Sequence, residues 1–160
     1  MKKGYRVAMI IGILGFPCIC YKFLNYKGSW FAFSICGWIG VGISYFFIEI
    51  TRYYTDYNYA PVRKIVNASK HGPATNIIAG ISVGLESTAL PIIVIVVGLL
   101  MSYKLGEMSG IKDMKGNLIG GLFGTAVSTM GMFSTGVFIL SMSGFGPIAD
   151  NAGGIVEMSH

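Results

Sequence analysis

Four long apolar blocks limit what this chain can fold into more than any other feature. They run over residues 6–24, 29–50, 75–103 and 117–144, and each approaches or exceeds the roughly 20 residues that a helix needs to cross the hydrocarbon core of a bilayer. Inside hydrocarbon every backbone N–H and C=O must find its partner within the protein, and a helix meets that demand by itself. The expectation is an all-α, polytopic transmembrane bundle of about four spans, forming one integral membrane domain over residues 1–160. Composition agrees: 53% of the residues are hydrophobic and 12% charged, against about a quarter charged in a soluble domain.

The net charge of +5 raises the question of nucleic acid. The basic residues form no stripe with interleaved aromatics, so nucleic acid is set aside. They flank the apolar blocks instead, where they orient spans in the lipid bilayer. Seven (Lys2, Lys3, Arg6, Arg52, Arg63, Lys64 and Lys70) lie at the N-terminus or in the polar loop 51–73, and five (Lys22, Lys27, Lys104, Lys112 and Lys115) at the opposite end. The excess places the N-terminus and loop 51–73 in the cytoplasm, together with the end of the fourth span. The apolar start "MKKGYRVAMIIGILGF" is followed by no small-residue cleavage site and reads as the first span. Ser29 is a candidate cap for the second, with Trp30 and Tyr45 near its two interfaces. In the loop, "VRKIVNASK" has the pattern of a short amphipathic surface helix. Residues 147–160 read as the start of a further segment.

Cys18, Cys20 and Cys36 match no zinc or disulfide spacing and read as small packing residues. Gly80 and Gly84, Gly116 and Gly120, and Gly120 and Gly124 stand four apart, a spacing that lets membrane helices approach closely. No phosphate-binding glycine loop, nucleophile elbow or zinc-protease motif is present, and His71 beside Gly72 and Pro73 reads as a loop residue.

Two acids stand out. Thr75, Ala79, Ser82, Glu86 and Ala89 share one helical face, so Glu86 is expected to point into protein from about the middle of the third span. An acid there is either an ion-path residue or a structural lock between helices. Pro91 deprives the Ser87 carbonyl of its helical donor, which predicts a kink near Glu86, with the Ser87 or Thr88 hydroxyl available to freed backbone groups. Asp150 and Asn151 follow the fourth block. Their oxygens suit Mg²⁺, which takes one or two carboxylates plus waters and substrate phosphates, while "DNAGG" taken alone favours a turn. Glu157 would return to the face of Asp150 if a helix continues.

Three blocks, "YYTDYNYAPVRKIVNASKHGPATNIIAGISVGLESTALP", "GLFGTAVSTMGMFSTGVFIL" and "GFGPIADNAGGIVEMS", resemble the membrane-bound, ion-translocating inorganic pyrophosphatases in order and spacing. The resemblance implies a part of an all-helical, homodimeric pump that hydrolyses Mg²⁺-pyrophosphate at the cytoplasmic ends of its inner helices and moves H⁺ or Na⁺, with K⁺ dependence open. It implies that Asp150 binds magnesium and substrate, that these residues form an internal portion of a longer chain whose remaining segments complete the site, and that the isolated portion is inactive. A bacterial plasma membrane is the expected location. Where the family usually reads "ITEYYTS" this chain reads "ITRYYTD", so Arg52 replaces an acid associated with coupling and Asp56 replaces a serine. Glu49, one turn earlier, is a candidate to compensate. Two other readings stay open: a non-enzymatic scaffold subunit whose glycine faces dock other helices, and a small channel or transporter that uses Glu86.

Overall fold

The computed structural model describes residues 2–25, 28–112 and 116–159. Lys27, Lys115 and His160 lie outside the described residues. The chain is all-helical: α1 (Lys2–Phe23), α2 (Trp30–Thr55), α3 (Ala60–Ser69), α4 (Pro73–Met108), α5 (Gly120–Phe133) and α6 (Gly136–Met158). Among the described residues four stretches are long and apolar enough to cross a membrane: one on α1, one beginning with α2, α4, and α5 with α6.

Three local expectations change. The block 117–144 is divided, with α5 ending at Phe133 and α6 starting at Gly136. At the junction Ser134 Oγ donates to the Gly131 carbonyl at 2.7 Å, and the fully buried Thr135 hydroxyl contacts the Ser44 hydroxyl on α2. Back-bonding hydroxyls bend helices and the adjacent Gly136 weakens them. Second, residues 147–158 open no new segment, because α6 continues through Pro147. Third, within α4, which continues through Pro91, the Ser87 and Thr88 hydroxyls donate to the Gly84 and Leu85 carbonyls and not to the Ser87 carbonyl that proline frees. Ser29 makes no capping bond, since its Oγ donates to the Leu24 carbonyl at 2.9 Å.

The centre is formed by α2, α4 and α5, where glycine lets backbones touch. A Cβ on Gly40 of α2 would fall onto the Ser128 carbonyl of α5, and one on Gly124 of α5 would lie 2.6 Å from the Ser102 carbonyl of α4. Gly106 and Gly120 meet in the same way. Between these contacts sits a small core of Cys20, Phe33, Cys36 and Val127, with Phe33 edge-on to Phe123 at 5.1 Å. Cys20 and Cys36 thus act as packing residues, and the Cys36 thiol donates to the Ser102 carbonyl at 3.6 Å. Gly80 and Gly84 have no neighbour within 4 Å, and Gly116 lies before α5 at φ 82°, so of the sequence pairs Gly120 and Gly124 make the close approach. No residue of α6 is buried.

α1 lies beside α2 and is fixed to it by Trp38, whose indole donates to the Ile13 carbonyl at 2.8 Å. α3 packs on α4 and touches α2, with Pro61 buried and Arg63 and Lys64 exposed.

Candidate functional site

Two interhelix contacts fix the relative heights of the helices. Ile43 of α2 faces Gly98 of antiparallel α4, and Ser44 faces Thr135 at the foot of α6. Counting about 1.5 Å per residue from these contacts, Glu86 on α4 stands level with Thr55, the last residue of α2. Its Coulombic reach to Tyr54 agrees. Asp150 on α6 stands about one turn beyond the end of α2 by the same count. Glu49, Glu86 and Asp150 therefore lie toward the same end of the bundle as Arg6, α3 and the start of α4, whereas Glu107 lies at the other end of α4.

The surroundings of Glu86 follow from this arrangement. Its own chain supplies no cover for it: Glu86 is exposed, as are Thr75, Ser82 and Ala89 on the same face, so the protein it was expected to point into is not among the described residues. The reason is that α4 overhangs α2, and its buried residues beyond Val83 are Gly98, Ser102 and Gly106, in the half that meets α2 and α5. Asp150, Asn151 and Glu157 are likewise exposed on α6, in helix rather than a turn.

The structure brings charged side chains together at Arg52. One guanidinium nitrogen, Nη1, donates to Glu49 Oε2 at 3.4 Å, and Nε faces Asp56 Oδ2 at 3.7 Å. The guanidinium also lies 5.8 Å from the centre of the Tyr59 ring. Asp56 is fixed by the turn after α2, where its Oδ1 accepts from the Asn58 amide at 3.0 Å and the Asn58 side chain at 2.9 Å. These bonds, the backbone amide first, hold the Asp56 carboxyl below its ordinary value, and Arg52 adds to the effect. The side chains of Arg52 and Glu49 are 36% and 42% exposed, so the ion pair contributes little to stability and matters for geometry. Glu49 and Arg52 line a cleft of about 900 Å³ between α1, α2 and α6, with Tyr5 and Arg6 on one wall and Phe138, Met142 and Ser143 on another. The Tyr5 hydroxyl is buried there without a hydrogen-bond partner, its ring edge-on to Phe138 at 6.5 Å.

Sequence reading singled out Glu49 and Arg52 but not the ladder. Its signal was the spacing of Glu49, Arg52 and Asp56, three and then four residues apart, which stacks side chains on one helix face. Tyr5, Tyr59 and the α6 wall had no such signal, because tertiary packing places them.

As a metal site these residues do not suffice. Among the described residues no three histidines, cysteines or acids lie close enough together to hold an ion. Asp150 offers one carboxylate with an adjacent amide, which is a partial donor set for Mg²⁺ and not a centre.

All 160 residues match the family model described as inorganic H⁺ pyrophosphatase. The chain belongs to that family. It is 53% identical over 163 aligned residues to the pyrophosphate-energized membrane proton pump 3 of Arabidopsis thaliana, covering 99% of this chain and 20% of that protein. It is 49% identical to the K⁺-insensitive pyrophosphate-energized proton pump 2 of Moorella thermoacetica, covering 99% of this chain and 23% of that one. A K⁺-insensitive pyrophosphate-energized proton pump of Caldanaerobacter subterraneus is 56% identical over 120 residues, 75% of this chain and 16% of the relative. The chain thus spans about a fifth of the length of these inorganic H⁺ pyrophosphatase relatives. Membership and the four apolar stretches together make it an integral membrane protein.

Proposed function

We propose that this chain forms part of a membrane pump that hydrolyses pyrophosphate with water to two phosphates and couples the reaction to outward movement of protons. The observation that carries the reading is the family match over residues 1–160, with Asp150 in the stretch "GPIADNAGG". Protons are preferred to sodium because relatives from Arabidopsis, Moorella and Caldanaerobacter are named proton pumps, and K⁺ independence because two of these are named K⁺-insensitive.

Asp150 holds one side of the Mg²⁺-pyrophosphate complex, and further carboxylates of the pump complete the site. Bound magnesium neutralises phosphate oxygens, which is the main demand of phosphoryl transfer. The end of the bundle that carries Asp150 and loop 51–73 faces the cytoplasm, in keeping with its excess of basic residues. Glu86 serves the ion path or locks α4 to a neighbouring helix, and Glu49 with Arg52 forms the coupling region. The pump acts as a homodimer. The 160 residues alone have no pyrophosphatase activity.

The test is to reconstitute the pump containing this chain in vesicles and follow phosphate release and internal acidification together. Pyrophosphate should drive both without K⁺, magnesium chelation should stop both, and the purified chain alone should release no phosphate. Turnover by the isolated chain, or hydrolysis that moves sodium in place of protons, contradicts the reading.

A further inference from the structure

We infer that Asp56 is a positioning residue for Glu49, acting through Arg52, so that the two departures "R" and "D" in "ITRYYTD" form one device and not two independent changes. The inference rests on the reading of Glu49 as the coupling acid.

Three observations carry it. Arg52 reaches both acids with different nitrogens, Nη1 to Glu49 and Nε to Asp56. That division of labour requires a planar fork with several donors, which arginine has and lysine lacks. Asp56 is also immobilised independently of Arg52: Asn58 occupies its Oδ1 twice, leaving Oδ2 toward the guanidinium. Finally, Glu49 and Arg52 line the cleft, whereas Asp56 does not. A long cationic side chain at the end of a span tends to extend toward water. Anchoring Nε at Asp56, with the Tyr59 ring beside it, keeps the guanidinium turned back along α2 to Glu49.

The charge arithmetic is self-consistent. A lone arginine in place of an acid would change the local charge by two, and the accompanying aspartate in place of a serine restores one unit. Glu49, Arg52 and Asp56 together carry one net negative charge, and the cleft that Glu49 and Arg52 line has Tyr5 and Arg6 of α1 and Tyr45 of α2 as its other titratable walls. Tyr54 and Glu86 are the titratable groups toward α4.

The test reads Glu49 directly. The pump carrying this chain is placed in lipid vesicles and exposed to a membrane-soluble carbodiimide, which modifies accessible carboxyl groups, and modification of Glu49 is followed by mass spectrometry. Arg52→Gln should raise labelling of Glu49 about fivefold. Asp56→Asn should raise it in the same direction when Arg52 is present and have no effect in the Arg52→Gln background, while Asp56→Glu should keep labelling near that of the parent chain. The charge swap Arg52→Asp with Asp56→Arg supplies the decisive arm. It retains an ion pair on α2 but moves the cation seven residues from Glu49, so labelling should stay high. Labelling unchanged by Asp56→Asn, or restored by the swap, would overturn the inference and identify a merely structural pair. Because this readout uses neither pyrophosphate nor transport, its failure leaves the pump reading standing, and a pump that fails to transport leaves this result standing. In the working pump, Asp56→Asn should lower the protons moved per pyrophosphate and Asp56→Glu should restore them.

Discussion

The α2, α4 and α5 centre and the opposite end of the bundle obey different rules. At the centre, backbone meets backbone at Gly40, Gly106, Gly124 and Gly131, and Phe33, Cys36, Ser102 and Ser128 are fully buried. Toward the other end, α4 and α6 rise past α2 with their apolar side chains exposed: Ile77, Ile81 and Leu85 on α4, Phe145 and Ile148 on α6. Glu86 and Asp150 stand on that open part. A helical face without a partner in its own chain can meet lipid or another helix, but a carboxylate in such a face is costly in lipid. The centre is therefore a packing unit, and the open end carries acids on faces that this chain itself does not cover.

Substitutions at glycine break this comparison most strongly. Gly40→Val puts side chain into the Ser128 carbonyl, and because a backbone cannot yield as a side chain does, it should cost about 3 kcal/mol or more in unfolding of the detergent-solubilised chain. Gly84→Ala, in open space, should be neutral or stabilise by about 0.5–1 kcal/mol through helix propensity. Equal destabilisation by both would mean that the two regions do not differ.

A cavity is the next largest change. Phe33→Ala removes the ring that Phe123 meets edge-on and should destabilise by about 3 kcal/mol, measured by the same unfolding. Glu86→Gln removes a charge from an exposed position and should stay within about 0.5 kcal/mol in the isolated chain. In the pump the same change should impair proton transport if Glu86 lies on the ion path, and weaken assembly if it locks helices. Transport assays and native gels separate the two.

The smallest effect concerns acid. Asp56 has a folded-state value below its ordinary one, so its contribution is present above the ordinary carboxylate pKa of about 3.9 and is lost as pH falls through the lower folded value. Asp56→Asn should remove that part of the acid sensitivity. Parallel stability curves for parent and variant across the acid range would argue against the Asn58 and Arg52 contacts.

Much of this molecule was readable in its residues, for identifiable reasons. Long apolar blocks have few ways to satisfy their backbones, so an all-α membrane bundle followed from them directly. The break between α5 and α6 did not, because "FSTGV" in an apolar run differs little from the small residues that line unbroken spans. The level of Glu86 was hidden for a related reason: hydropathy marks where α4 is greasy but not that it overhangs α2, which is set by where Gly98 meets Ile43. Gly80 and Gly84 have the spacing of a helix contact and no contact in this chain, since spacing shows that a face can be approached and not what approaches it. The Arg52 ladder lies between these cases. Its spacing was visible, whereas the cleft it lines required three helices to be placed.

The most direct measurement is pyrophosphate hydrolysis by the pump carrying Asp150→Asn, paired with unfolding of the same variant chain. The open-end account predicts hydrolysis lowered roughly 100-fold or more, the scale for losing a group that stabilises transition-state charge. It also predicts unchanged unfolding, because Asp150 is exposed on a helix with no buried residue. Normal hydrolysis, or a stability loss large enough to explain the missing activity, would contradict it.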